Sequence, residues 1–540
     1  MASTEPAAVA DSTTRAEPLE TIAELIGGPR IDDLLHRAAG RHPERPALRS
    51  AAGDLSYAEL DAQASACASA LRALAGGPDE VIGIAAELDP VFAVGYFGIT
   101  RSGNVAAIVN PLLTGERLLH VLSTSACRVL IVSPRLYPAL AEVRDRLPEL
   151  RHVVLTERAP ELGQEAQALP VLGELMAAAP EFIPAERNAQ EEQEAGRVAG
   201  LHFTSGTTGA AKAVRLTHRN LTVNAAQTVS GHRLDASSVI FNYLPTFHLM
   251  HLTIGVCAGA THVLWTDDDV AAAVAAASRY GVTHFYSLPM RLTRLAAHPA
   301  LRELEAPRLR AILSGGSTLP PSSALALGQH FGVPVMQGYG LTETSPSTHF
   351  DNIDRPKTGS SGVLVPGTEA RIVDVDTREV LPVDAKGEIQ VRGPQVMKGY
   401  LGRDLSRDVD ADGWFSTGDV GRIDAEGYLF VVERIKDTFK CDNWLVSPSE
   451  IERVLFRHPA VDDCVVFDRP HPVSGAVAYA LVVPRSTDAD PGELAAFVNE
   501  AVPYYEHLHH VELVESIPRS QTGKVQRRDV REQWLAAHGG

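Results

Sequence analysis

The sequence predicts an α/β protein: a large N-terminal domain of mostly parallel sheets covered by helices, with a small β subdomain, then a small mobile α+β C-terminal domain. Three observations lead there. From about residue 30 to 345, short apolar runs alternate with longer stretches of helical spacing, the rhythm of buried parallel strands and their covering helices. Between about 359 and 432 the pattern changes to short strands separated by turn residues. After Arg434-Ile435-Lys436-Asp437 about 105 residues remain, enough for an independent small domain. At 540 residues the chain exceeds what a single core accommodates.

Residues 1–20, rich in Ala, Thr, Glu and Asp, read as a disordered tail. The large domain then spans 21–434. Its first strands are expected at 81–85, 106–110, 129–133 and 152–156, with helical spacing at 57–74, 90–102, 115–125 and 137–147. Residues 158–200, rich in Ala, Glu, Pro and Gln, lack periodicity and read as a surface connection holding one short helix. The alternation returns with strands at 239–244, 261–265, 282–287 and 311–314 and a helix at 267–280. The β subdomain supplies strands at 369–374, 387–392 and 428–432. In the last domain, 435–540, strands at 463–467, 477–483 and 510–514 mix with helices at 449–456 and 492–501.

Composition narrows the function. A net charge of -18 argues against nucleic acid or an anionic membrane as partner, since either favours a basic face. It leaves room for a small anion held by local positive charge. The five cysteines are scattered without a C-x-x-C pair, which disfavours a zinc site or a disulfide framework and fits a reducing compartment. His507, His509 and His510 read as a solvated polar segment. No secretory signal, membrane-spanning run or peroxisomal tripeptide is read, so the cytoplasm is expected.

The segment Thr204-Ser205-Gly206-Thr207-Thr208-Gly209-Ala210-Ala211-Lys212 follows the apolar run Leu201-His202-Phe203. Glycines allow a tight turn with N–H groups aimed inward, hydroxyls add donors, and the lysine adds a charge, a composition suited to a polyphosphate. It is not the usual G-x-x-x-x-G-K-[ST] loop, because Ala211 precedes Lys212 and Ala213 follows it. Further segments follow in order. They are Gln337-Gly338-Tyr339-Gly340-Leu341-Thr342-Glu343-Thr344, then Gly413-Trp414-Phe415-Ser416-Thr417-Gly418-Asp419. Next come Arg434-Ile435-Lys436-Asp437 with Pro448-Ser449-Glu450-Ile451-Glu452, and finally Pro518-Arg519-Ser520-Gln521-Thr522-Gly523-Lys524.

Together these segments resemble the signature motifs of the adenylate-forming superfamily, which includes acyl-CoA synthetases, aryl-CoA ligases, luciferases and peptide-synthetase adenylation domains. The pattern is most similar to acyl- and aryl-CoA ligases and covers about residues 30–535. The resemblance implies that a carboxylate attacks the α-phosphate of ATP, pyrophosphate leaves with Mg²⁺, and acyl-AMP remains for transfer to CoA or to a carrier-protein phosphopantetheine. It assigns the β- and γ-phosphates to Thr204, Ser205, Gly206, Thr207, Thr208, Gly209 and Lys212. Glu343 would bind Mg²⁺, and Thr342 the α-phosphate. Gly338, Tyr339 and Gly340 would wall the adenine and the acyl group. Asp419 would accept from both ribose hydroxyls, with Arg434 beside it. Lys524 would bridge the attacking carboxylate and the α-phosphate, and Lys436 would be the hinge on which the small domain turns.

The resemblance also places an acyl pocket at Leu244-Pro245-Thr246-Phe247-His248-Leu249-Met250. Peptide-synthetase domains carry an aspartate after the phenylalanine to pair an amino group. His248 stands there instead, which disfavours an α-amino acid. Ser314, Gly315 and Gly316 would form another wall with Gly338. With Met250, these residues predict an apolar acid larger than acetate: aryl, polycyclic or medium to long acyl. Asn443 replaces a glycine that in CoA ligases lies against the pantetheine arm, so a stand-alone acyl-AMP ligase serving a carrier protein or partner enzyme is the alternative. A non-catalytic nucleotide- or acid-binding relative is the second.

Overall fold

The computed structural model describes residues 11–183, 191–204, 211–244, 248–442, 444–486, 489–519 and 525–538. Among these, a nine-stranded sheet runs Val363–Leu364, Ser347–Phe350, Val335–Gly340, Ala311–Ser314, His284–Ser287, Val239–Tyr243, Thr261–Leu264, Pro46–Ser50, Gly53–Ser56. The strands from Val335–Gly340 through Pro46–Ser50 are parallel and the edges antiparallel. A six-stranded sheet runs His152–Leu155, Val129–Val132, Val81–Ala85, Val105–Ile108, Val198–Phe203, Ala213–Thr217, parallel except for its last hairpin.

The continuous apolar runs have a plain cause. Every residue of Val129–Val132 and of Ala311–Ser314 is buried, because helices cover both faces. Strand alternation then sorts side chains into two cores. Ile312 joins Phe241 and Phe285 on the face covered by the helix Val270–Tyr280, whereas Leu313 joins Tyr286 and Met336 on the face covered by Leu249–Ala258. Helix ends follow local chemistry. Ser56 caps the helix Tyr57–Ala75 through Glu59 N at 3.2 Å, and Glu59 returns a bond to Ser56 N at 2.8 Å.

The β subdomain is an antiparallel sheet in the order Thr14–Arg15, Glu369–Val373, Gly387–Arg392, Phe415–Ile423, Leu429–Arg434. This corrects the expected tail over residues 11–20; residues 1–10 of that expectation lie outside the described residues. Thr14–Arg15 pairs with Ala370 and Glu369, and buried Ser12 Oγ exchanges hydrogen bonds with Ile372, donating to its carbonyl and accepting from its N–H. A short polar segment reads as disordered until an open sheet edge offers it partners. Residues 158–200 also hold more than one short helix. Gly163–Gln167, Leu172–Ala178 and Glu191–Ala195 are helical, and the next strand begins at Val198. Buried Ala166, Val171 and Leu172 anchor that stretch, which single-sequence periodicity over such short helices does not reveal.

The last sheet joins Trp444–Val446, Phe439–Cys441, Gly475–Pro484 and Val461–His471, with Leu508–Leu513 parallel to Gly475–Pro484. The closing helix Arg527–His538, which the sequence reading did not place, seats Trp534 and Val530 against Phe467. Ion pairs join this unit to the β subdomain: Lys386 with Glu450 and Glu506, Lys440 with Asp376, and Glu433 with Arg527. No described helix is long and apolar enough to cross a membrane, and the five cysteines are buried and free.

The core holds several neutral histidines. Burial pushes His218, His232 and His349 down to about 3, and His262 and His284 to about 4. An unfolded histidine takes up a proton near pH 6.5, so between there and about pH 4 the unfolded chain binds more protons than the folded one. Stability therefore falls as the pH is lowered through that window. The thermal midpoint is expected to drop by several degrees between pH 7.5 and pH 5.5, read by circular dichroism; an unchanged midpoint would contradict neutral burial of this group.

Candidate active site

Two polar clusters gather about the C-terminal end of the strand Val335–Gly340, one on Glu343 in the turn that follows and one on Tyr339. The first forms around the antiparallel hairpin Val198–Phe203 and Ala213–Thr217. At its neck Thr204 N donates to Lys212 O at 3.1 Å, and Lys212 N donates to Thr204 Oγ1 at 3.4 Å. The loop they close, with Ser205, Gly206, Thr207, Thr208 and Gly209, lies outside the described residues. Lys212 Nζ sits 4.7 Å from the Tyr400 ring centroid. The Tyr400 hydroxyl donates to Glu343 Oε1 at 2.6 Å. Residues 397–401 stitch the parts together: Met397 N donates to Glu343 O at 2.8 Å, and Leu401 N to Ala213 O at 2.8 Å.

Glu343 is buried in the short 3-10 turn Thr342–Thr344, with Thr342 half-buried beside it. One carboxylate oxygen is engaged by Tyr400, and the other has no hydrogen-bond partner among the described residues. Burial, and then the adjacent Glu343 charge, raises the Tyr400 phenol, so it remains a donor. A carboxylate anchored this way in a largely buried residue, with one oxygen left over, fits Mg²⁺, which takes one or two carboxylates and fills its shell with phosphate and water. Tyr400 was not found from the sequence; its place between the motifs, in Lys398-Gly399-Tyr400, offered no signature.

The second cluster centres on Asp419 in the strand Phe415–Ile423. It is 4% exposed, receives the Tyr339 hydroxyl at 2.7 Å on Oδ2, and pairs with Arg434 Nε at 2.8 Å on Oδ1. Arg434 is its direct neighbour on the adjoining strand. Burial, then the Asp419 charge, raises the Tyr339 phenol well above its usual value. Tyr339 is thus fixed by its hydroxyl with its ring standing beside the glycines. Gly340 is required there, because a Cβ would lie 1.9 Å from Pro346 O.

The residues expected to line the acyl pocket take the following places. Gly338 cannot bear a side chain, since its Cβ would meet Phe350 Cδ1 at 2.8 Å. Gly315 is different: among the described residues the nearest atom to its would-be Cβ is Gly338 O at 4.0 Å, and none lies within 4 Å of that of Gly316. Met250, at the start of the helix Leu249–Ala258, receives the Ser347 hydroxyl on its sulfur at 3.5 Å. His248 stands at the N-cap position of that helix without a side-chain capping bond; solvent reaches it while protein atoms crowd its ring, and burial holds its imidazole below the usual range. Ser314 departs from the expected wall. Alternation turns it to the Ile312 side, away from the helix that carries Met250, so Gly315 borders the space instead.

Lys436 is exposed in the 3-10 turn Ile435–Asp437, directly after Arg434. Ser449 and Arg527 reach back across it to Glu433. Asn443 and Lys524 lie outside the described residues.

The chain belongs to the AMP-binding enzyme family: it matches the AMP-binding enzyme over residues 35–401 and the AMP-binding enzyme C-terminal domain over 450–524. It is an adenylate-forming ligase of the CoA-ligase type. Among its relatives is 4-coumarate–CoA ligase 2 of Oryza sativa subsp. japonica, 31% identical over 522 residues that cover 91% of this chain and 90% of the relative. The ATP-bound structure of MatB from Rhodopseudomonas palustris superposes with a TM-score of 0.82 at 25% identity, covering 94% of this chain and all of that one. The amide bond synthetase McbA from Marinactinospora thermotolerans gives 0.80 at 25% identity, covering 93% and 100%.

Proposed function

We propose that the enzyme activates an extended, largely apolar carboxylic acid, aryl in the first instance, as its acyl-adenylate and then passes the acyl group to CoA. The observation that carries this reading is the pair of clusters about Gly338–Gly340: a buried carboxylate beside a cation in one, and a buried carboxylate with a fixed tyrosine in the other. ATP spans them. Asp419 accepts from the ribose hydroxyls, Tyr339 stacks on the adenine, and the hairpin loop with Lys212 holds the β- and γ-phosphates. Glu343 holds Mg²⁺, which offsets phosphate charge when bound. Thr342 contacts the α-phosphate. The acid lies against Gly315, Gly338 and Met250 with its carboxylate toward Thr342. Its oxygen forms a bond to the α-phosphorus as the bond to pyrophosphate breaks. Lys524 neutralises the two anions that meet, an electrostatic role in a site closed to water.

In the second step the thiol sulfur bonds to the acyl carbon, AMP leaves, and the thiol proton passes to solvent. The relative named 4-coumarate–CoA ligase 2 supports CoA as acceptor. Asn443 supports the second reading, in which acyl-AMP goes to a carrier protein or a partner enzyme.

Lys524→Ala is expected to lower pyrophosphate release about 100-fold or more while ATP still binds, because one preorganised cation at the transition state is typically worth that much. Single-turnover acyl-AMP formation, followed with and without CoA across a panel of aryl and alkyl acids, checks both claims. Near-normal adenylation by the variant would refute the role of Lys524. Acyl-AMP without thioester in the wild type would favour the second reading.

A further inference from the structure

Under Met250 and Gly338, which are proposed to line the acyl pocket, lies a floor of rings that the sequence reading did not foresee. It lies on the face of the nine-stranded sheet covered by the helix Leu249–Ala258, and its centre is Tyr286. The His251 ring meets Tyr286 edge-on at 4.7 Å between centroids, and the His248 ring lies 5.5 Å from that of His251. The Tyr286 hydroxyl is already engaged, 2.7 Å from His232 Nδ1. His232 in turn rests on Phe350, 4.1 Å between centroids, and Phe350 fills the space under Gly338. Asn242 stands beside Tyr286 on the neighbouring strand, in register with it and on the same face.

Most of this floor is apolar or has its hydrogen bonds met. Two members do not. His251 is 6% exposed and its Nδ1 has no hydrogen-bond partner among the described residues; Asn242 is fully buried and neither polar atom of its amide has one among them. Leaving such groups unpaired forfeits their hydration with nothing in return, so a fold keeps them where something else completes them. Burial holds the His251 imidazole neutral, with one nitrogen to donate and one to accept. The amide of Asn242 likewise offers both.

We infer that His251 and Asn242 form a polar floor that pairs with a hydroxyl or amino substituent on the acid, at the end remote from its carboxylate. The inference rests on the acid-activating reading above and refines it: the walls are apolar, and the far end is not. The rings of His248 and Tyr286 suit a flat aryl body, and the open space at Gly315 admits it. His251 and Asn242 are then specificity-determining residues, because a site built to bond a substituent rejects the analogue that lacks it.

The test uses pairs of acids differing in one group: benzoate against 4-hydroxy- and 4-aminobenzoate, and cinnamate against 4-coumarate. For each pair, kcat/KM for pyrophosphate release is measured in the wild type, in His251→Leu and in Asn242→Leu, with thermal unfolding as the fold control. The wild type is expected to favour a substituted acid by about tenfold or more. The leucine variants are expected to bring that ratio within about twofold while keeping activity on the unsubstituted acid. A wild type with no preference, or one that favours the unsubstituted acid, overturns the inference even where a variant fails to fold. So does an unchanged ratio in well-folded variants, which would mean that internal water completes these groups. A wild type inert toward every acid would instead contradict the activating reading. Thermal shift by the same acid pairs would then read the floor directly, a larger shift with the substituted acid supporting it and equal shifts overturning it.

Discussion

Glu343→Gln is expected to reduce pyrophosphate release by two orders of magnitude or more, with the Mg²⁺ dependence displaced to higher concentration. The substitution keeps size and leaves an amide oxygen to accept the Tyr400 hydroxyl, so the turn Thr342–Thr344 and its link to residues 397–401 are retained. What disappears is the negative charge of a carboxylate whose second oxygen has no hydrogen-bond partner among the described residues. Losing one preorganised electrostatic contact of this kind typically costs about 3–4 kcal/mol at the transition state. Steady-state kinetics at several Mg²⁺ concentrations, beside a melting curve, separates the causes. A loss smaller than about tenfold with unchanged Mg²⁺ dependence would remove Glu343 from the metal role.

Asp419→Ala is expected to raise the KM for ATP by roughly ten- to a hundredfold and leave the order of preference among acids intact. A hydrogen bond to a charged group is worth about 1.5–3 kcal/mol, and here one carboxylate holds Tyr339 and Arg434 and is proposed to serve the ribose as well. Part of the loss is indirect. Without Asp419 the Tyr339 hydroxyl loses its acceptor, and the ring proposed to stack on adenine is released. Tyr339→Phe separates the two effects: it should weaken ATP only a few-fold if Asp419 itself meets the ribose. Isothermal titration with ATP reads both variants, and unchanged affinity in Asp419→Ala would assign the residue to a different site.

How much of this was visible in the chain follows from the range of the interactions. The parallel strands were legible because burial on both faces leaves unbroken apolar runs; 81–85 and 311–314 were located to the residue. Glu343, Asp419 and Arg434 lie in compact motifs, and the structure brings Asp419 and Arg434 into contact. Tyr400, which joins Lys212 to Glu343, was not legible, since its partners lie 188 and 57 positions away in the sequence and nothing local marks it. The direction of Ser314 was misread for a related reason. Its neighbour Gly315 suggested a wall, but only the pairing register fixes which face a strand residue takes. Residues 11–15 looked featureless because their order comes from an edge strand more than 350 positions away. His251 and Asn242 read as ordinary core positions until the three-dimensional surroundings show that they lack hydrogen-bond partners among the described residues.

The central claim is that a carboxylic acid attacks ATP at the α-phosphate to give a reversible acyl-adenylate. Isotope exchange between pyrophosphate and ATP tests it most directly, because exchange requires that step and no acceptor. With Mg²⁺ and an aryl acid but no CoA, label from pyrophosphate is expected to enter ATP, and omission of the acid is expected to abolish the exchange. Acid-independent exchange, or ATP consumption that yields ADP and phosphate with no AMP, would contradict the account.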